Sequence, residues 1–166
     1  MKVNFDSRGY LKPYHKLELE FNEFKEIFVD AFDDSSSRHL IFENYARFLQ
    51  DFSDKVSETF THWIDGSFVT KKMNPRDIDF VSIIDFNIFV EKEALIERQF
   101  RLFGAKAAYQ VDAYTIRKYP EGHEKYIIYQ GELVYWENWF GWTKKNRAKA
   151  KFPKGFIEIN FINFKG

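Results

Sequence analysis

The chain has no cysteine among its 166 residues. That excludes a disulfide scaffold, a thiolate zinc site and thiol catalysis together, and it fits a reducing cytoplasm. A long hydrophobic run is missing as well. The most apolar stretch, residues 80–90, is cut by Asp85, well short of the roughly 20 apolar residues that a bilayer span needs. No membrane anchor is expected, and with Asp6 and Arg8 so near the start and no apolar segment after them, no secretory signal either. Internal repeats, low-complexity tracts and linker-like stretches are also lacking. At 20.0 kDa the chain has the size of one ordinary domain with a continuous core.

Net charge is zero, from 25 basic and 25 acidic residues, so no global field favours indiscriminate nucleic-acid binding. The balance nevertheless drifts along the chain. Residues 1–60 hold 8 Lys/Arg against 12 Asp/Glu, 61–112 hold 7 against 8, and 113–166 hold 10 against 5. The C-terminal third is therefore suited to phosphates or an acidic partner. Aromatic residues reach 20%, Phe alone contributing 20. Most must fill the core, and the excess leaves rings for an exposed, functional surface.

Residues 1–17 show no helical period and read as an extended arm whose Phe5, Tyr10, Leu11 and Tyr14 pack on the body. Apolar positions Phe21, Phe24, Ile27, Phe28 and Ala31 recur at three and four, predicting a helix over 19–32. Ser35, Ser36 and Ser37 offer hydroxyl caps for a second helix over 38–56, burying Ile41, Tyr45, Phe48, Leu49 and Phe52. Strands are predicted at 61–65 and 78–84. A helix over 91–103 should stop at Gly104, followed by an alternating strand at 108–116. The aromatic stretch 126–142 reads as partly helical despite Gly131, and 156–164 as a closing strand. The result is one α+β domain: an arm with N-terminal helices (1–60), a core (61–116) and an aromatic, basic C-terminal part (117–166).

The chemistry concentrates at Gly66-Ser67, nine residues, then Asp77-Ile78-Asp79-Phe80. Acids at i and i+2 on a strand share a face. Two like charges there repel, and burial makes this worse; a divalent cation resolves both problems, and oxygen-only ligands suit Mg²⁺ or Mn²⁺. Gly66 lets the backbone approach a phosphate, and Ser67 supplies amide and hydroxyl donors. A third acid, Asp112, sits in a strand-like segment with no other evident reason to carry one. Three carboxylates and two metal ions would activate an attacking hydroxyl and neutralise a departing pyrophosphate. Lys71, Lys72 and Arg76 in the intervening loop are candidates to hold triphosphate oxygens, the alternative being a solvated loop. Asp65 reads as a cap of the turn. His15, His39, His62 and His123 stand at no metal-ligand spacing.

Hydrophobic-Gly-Ser, a nine-residue spacer, Asp-hydrophobic-Asp-hydrophobic and a later strand Asp resemble the DNA polymerase β-like nucleotidyltransferase superfamily across residues 61–116. More of the chain is similar to a small prokaryotic family of nucleotidyltransferase-like proteins. The shared stretches are Phe5-Asp6-Ser7-Arg8-Gly9-Tyr10-Leu11-Lys12-Pro13, the segment Trp63-Ile64-Asp65-Gly66-Ser67-Phe68-Val69-Thr70, and Pro153-Lys154-Gly155. Tyr14 departs from that pattern, where glycine is more usual. The resemblance implies a mixed β-sheet flanked by helices, catalytic roles for Asp77, Asp79 and Asp112, and phosphate contacts from Gly66 and Ser67. It also implies service in toxin–antitoxin or phage-defence loci, as a toxin that modifies transfer RNA or an antitoxin that adenylylates a partner toxin.

A basic run follows the aromatic stretch. Lys144, Lys145, Arg147, Lys149, Lys151 and Lys154 come after Tyr135, Trp136, Trp139, Phe140 and Trp142, with no acid from 143 to 154. Cations interleaved with rings suit an RNA acceptor, Lys144, Lys145, Arg147 and Lys149 meeting phosphates and Trp139 and Trp142 stacking on bases. The plainer alternative is core aromatics beside a solvated loop. The leading expectation is a nucleotidyltransferase that moves a nucleotidyl group from a nucleoside triphosphate to an RNA end or a protein hydroxyl. A non-catalytic nucleotide-binding or antitoxin-like interaction protein is the alternative. Synthesis of a small nucleotide signal is a third possibility, for which the short chain leaves little room.

Overall fold

The computed structural model describes residues 3–165. The arm forms three short strands, β1 (Asn4–Phe5), β2 (Leu11–Lys12) and β3 (Lys16–Glu18). β1 and β2 pair antiparallel. Phe5 packs on the core and Leu11 is fully buried, whereas Tyr14 stays exposed and donates its hydroxyl to Asp6 Oδ2.

The first predicted helix is α1 (Phe21–Lys25), continued by one wider π-type turn, Glu26–Asp30. α2 (Ser37–Lys55) is capped by the Ser36 hydroxyl, which accepts from the Arg38 amide, and buries all five apolar residues expected of it. Then come β4 (Phe60–Asp65), a 3-10 turn at Gly66–Val69 and β5 (Asp79–Asp85).

The next segment corrects the sequence reading. α3 (Phe86–Leu95) begins earlier than 91, because Asp85 accepts from the Asn87 amide and caps it. A π-type turn, Ile96–Phe100, and an extended Arg101 break the helix before α4 (Leu102–Tyr109). Gly104 therefore lies inside a helix. A Cβ there would come within 2.2 Å of the Arg98 carbonyl, so the glycine permits a close approach of backbones and does not stop the chain. Gln110, left-handed at φ 60°, ends α4, and the strand expected from 108 starts only at β6 (Asp112–Lys118). α5 (Tyr126–Phe140) runs through Gly131, which faces open space. β7 (Phe156–Phe161) closes the sheet.

The main sheet is mixed, ordered β3-β7-β4-β5-β6. β3 runs parallel to β7 and β5 to β6, while β4 is antiparallel to both its neighbours. Side chains alternate between two faces. One face, with Ile64, Phe80 and Ala113, joins the aromatic core of α1 and α2. There Phe48 meets Phe80 edge-on at 4.9 Å, and Phe52 meets Phe60 at 4.8 Å. The other face, with Trp63, Val81 and Ile116, is covered by α5 through Phe140, Leu133 and Trp136.

Candidate functional site

At one end of the sheet three carboxylates stand in register. Asp65 ends β4 opposite Asp79, which begins β5, and Asp79 lies beside Asp112, which begins β6. Directly opposed residues share a face, with neighbouring strands about 4.8 Å apart. These acids share the sheet face of Trp63 and Val81, so they open beside the C-terminal half of α5. Asp77 precedes the strand, and the Asp112 amide donates to the Ile78 carbonyl just after it.

Between Asp65 and Asp77 the chain makes a loop whose shape depends on α2. Arg38, fully buried, donates from Nη1 to the carbonyls of Phe28 and Phe68, from Nη2 to Thr70 and Lys72, and from Nε to Lys72. Its guanidinium lies 3.9 Å from the Phe32 ring centroid. No carboxylate pairs with it among the described residues. Burial pulls its pKa down to about 10, still leaving it charged at neutral pH, and carbonyl dipoles carry the compensation. The serine triplet adds to this hold: Ser36 Oγ donates to the Met73 carbonyl and Ser37 Oγ to that of Pro75. Residues 66–75 are thus pinned along their length, presenting Gly66, Ser67, Lys71 and Lys72 outward.

Two lysines answer the acids. Lys106 of α4 reaches Asp112 Oδ1 at 2.9 Å and Asp77 Oδ2 at 3.4 Å. Lys154 is buried and bonded to Asp65. The expectation that Asp65 caps the turn fails for that reason: its side chain makes no cap bond and is committed to Lys154. Asp79 has neither partner. Burial, then the charges of Asp77, Asp65 and Asp112, push its carboxyl up to about 6.

These groups line a cleft of about 1410 Å³. Of the residues singled out from sequence, it brings together Gly66, Ser67, Lys71, Lys72, Asp77, Asp79, Asp112, Trp139, Trp142, Lys144 and Lys145. Arg76, Arg147 and Lys149 are exposed away from its lining. Sequence reasoning missed Lys106, in a segment divided between a helix end and a strand, and the Asp65–Lys154 pair. It also missed the arm as a cleft wall. Asp6 accepts from the amides of Arg8 and Tyr10 and from the Arg8 guanidinium, and these bonds, against the effect of burial, hold its carboxyl at about 2. The turn so formed docks on the loop, Lys71 donating its amide to the Gly9 carbonyl. Arg8 lies 4.3 Å over Phe152, closing the arm onto the C-terminal segment.

Residues 3–160 match one protein family as a unit, which takes in the arm, the loop, all four acids and the basic segment. The chain belongs to DUF6932, a family of unknown function. No curated protein and no solved structure matches it. Among the described residues of this DUF6932 chain, no group of three or more His, Cys, Asp or Glu side chains is arranged as a ready metal centre. Lys106 holds the place between Asp77 and Asp112. The donors are nevertheless all oxygen, and negative charge is left unbalanced at Asp79, which is the chemistry a hard divalent cation requires. No helix among the described residues is long and apolar enough to cross a membrane.

Proposed function

We propose that this chain is a nucleotidyltransferase that moves a nucleotidyl group from a nucleoside triphosphate to an RNA end or a protein hydroxyl, in a toxin–antitoxin or phage-defence setting. The observation that carries the reading is the in-register row Asp65–Asp79–Asp112 with Gly66 and Ser67 at the turn beside it. A structural pair of acids needs no third in line, no glycine against it and no lysine-bearing loop held rigidly alongside.

Gly66 and Ser67 offer backbone and hydroxyl donors to triphosphate oxygens, and Lys71 and Lys72 add charge at the loop's far end. Arg38 keeps that loop in place, so its donors need not be ordered when the nucleotide arrives. Mg²⁺ or Mn²⁺ held by Asp77, Asp79 and Asp112 would supply neutralisation of the leaving pyrophosphate and acidify the incoming hydroxyl. In the transfer the acceptor oxygen forms a bond to the α-phosphorus while the bond to the bridging oxygen of pyrophosphate breaks. Asp112, at the outer strand, would orient the acceptor hydroxyl and receive its proton. Lys106 keeps Asp77 and Asp112 together until the nucleotide complex binds.

The lysines also favour a second reading. Lys106 and Lys154 already pair three of the four acids, as a non-catalytic nucleotide-binding or antitoxin-like protein would require. Incubation with each triphosphate, Mg²⁺ or Mn²⁺, and bulk RNA or protein separates the two. Pyrophosphate release supports the transferase. Triphosphate binding without release supports the binding protein.

A further inference from the structure

The rings of α5 fall into two sets. Trp136 turns inward, 4.8 Å from Tyr114 and 5.3 Å from Phe140, within the second core. Tyr135 and Trp139 turn outward, 57% and 54% exposed, one helical turn apart and parallel to within 13° at 6.2 Å. Among the described residues neither the Tyr135 hydroxyl nor the Trp139 indole makes a hydrogen bond. Both rings line the cleft of the acids, as does Trp142, 45% exposed. They contribute little to the core, and water is a poor environment for them.

The charge on the same walls is uneven. Asp6, Asp65, Asp77 and Asp112 have basic partners. Lys71, Lys72, Lys144, Lys145 and Lys151 line the cleft without a salt bridge among the described residues. They stand in two groups, one on the β4–β5 loop and one after α5. A triphosphate at Gly66 and Ser67 engages the first; in the second, the charge of Lys144 also reaches Asp65 and Asp79, while Lys145 and Lys151 line the same cleft as the exposed rings. The cleft, about 1410 Å³, also exceeds the roughly 300–1,000 Å³ typical of a small-molecule site.

We propose, resting on the transferase reading, that this cleft binds a single-stranded nucleic acid, Tyr135, Trp139 and Trp142 stacking on its bases and Lys144, Lys145 and Lys151 meeting its phosphates. Rings accept any base face, and lysines after α5 follow the backbone, so recognition is tolerant of sequence and steeply dependent on salt. The strand's end then lies toward Asp112, and the acceptor is the nucleic acid and not a protein.

The test is fluorescence anisotropy of a labelled single-stranded RNA of about 12 nucleotides, with EDTA and no triphosphate, across a salt series. The parent should bind it more tightly than the matching duplex and far more tightly than a mononucleotide. Tyr135→Leu with Trp139→Leu should weaken binding about 5-fold or more per ring. Lys144→Gln, Lys145→Gln and Lys151→Gln together should flatten the log-log salt slope by about 2. Circular dichroism confirms that each variant folds, and the lysine set tests the surface independently of the ring set. Equal affinity for duplex or mononucleotide, or parent-like binding by both variants, overturns the proposal. So does transfer to a protein hydroxyl without RNA binding, which leaves the transferase reading standing. RNA binding without any pyrophosphate release leaves the single-strand binding surface standing and overturns the transferase reading, and with it the acceptor role.

Discussion

Gly66 and Asp79 are fitted to each other: a Cβ built on Gly66 would stand 2.0 Å from Asp79 Oδ2, and the Gly66 backbone, at φ +80°, is one that other residues rarely adopt. The turn that offers donors to a ligand is therefore pressed against the carboxylate that carries the site's unpaired charge. Gly66→Ala should destabilise the fold by about 2 kcal/mol, from strain and clash together. Combining it with Asp79→Ser, which removes the clashing oxygen, should cost less than the two changes added, as urea titration of the four proteins would show. Strict additivity would mean that the two residues are not in contact.

Asp79 should make the ligand-free protein less stable as pH rises. Its carboxyl titrates near 6 when folded and near 4 when unfolded. The folded state thus holds the extra proton between those values, and stability is highest below them and lost as pH climbs through 6. Asp79→Asn should be the more stable protein at pH 8, by something on the order of 2 kcal/mol. It should also lose any stabilisation by Mn²⁺ with a triphosphate. A variant no more stable than the parent at pH 8 would contradict the crowding of acids described above.

His62 acts in the opposite direction. It is fully buried, its Nδ1 meeting the Tyr45 hydroxyl at 2.8 Å and its Nε2 the Ser82 hydroxyl at 2.9 Å, and burial pushes its pKa down to about 3. Unfolding lets it take a proton near pH 6.5. Stability from a neutral His62 is therefore complete above that value and declines as pH falls toward 3. His62→Asn should cost about 1–3 kcal/mol at pH 7 through unpaired hydroxyls and flatten the acid side of the stability profile. An acid limb identical to the parent's would assign acid unfolding to other groups.

Arg38 should matter to ligand binding although it touches no ligand. Arg38→Lys keeps the charge and loses the planar fork that serves four carbonyls, so stability should drop by about 2 kcal/mol or more. Triphosphate affinity should fall further than the transfer rate of the saturated complex, because the loop and not the acids is loosened. An unchanged affinity in a folded Arg38→Lys protein would free the loop from dependence on this residue.

Much of this was legible in the sequence. The repeat of Ile41, Tyr45, Phe48, Leu49 and Phe52 marked α2, and Gly-Ser followed by two acids marked the floor of the cleft. Two kinds of feature were not. Gly104 reads as a stop signal because glycine both ends helices and allows close approach, and only the Arg98 carbonyl against it distinguishes the two. That error put the strand too early and hid Lys106 as a partner of the acids. Long-range pairing was hidden too: Asp65 and Lys154 are 89 residues apart, and no local period connects them. The arm's role depends on Arg8 meeting Phe152, a contact between opposite ends of the chain.

The most direct measurement of the central claim is covalent transfer of label from an α-phosphate-labelled nucleoside triphosphate, with Mg²⁺ or Mn²⁺ and bulk RNA, alongside triphosphate binding to the same proteins. The parent should label an acceptor and release pyrophosphate. Asp112→Asn should bind the triphosphate nearly as well and transfer about 100-fold less or worse, and Asp79→Asn should lose both. No labelled acceptor with any of the triphosphates, or transfer that survives Asp79→Asn, would contradict the account.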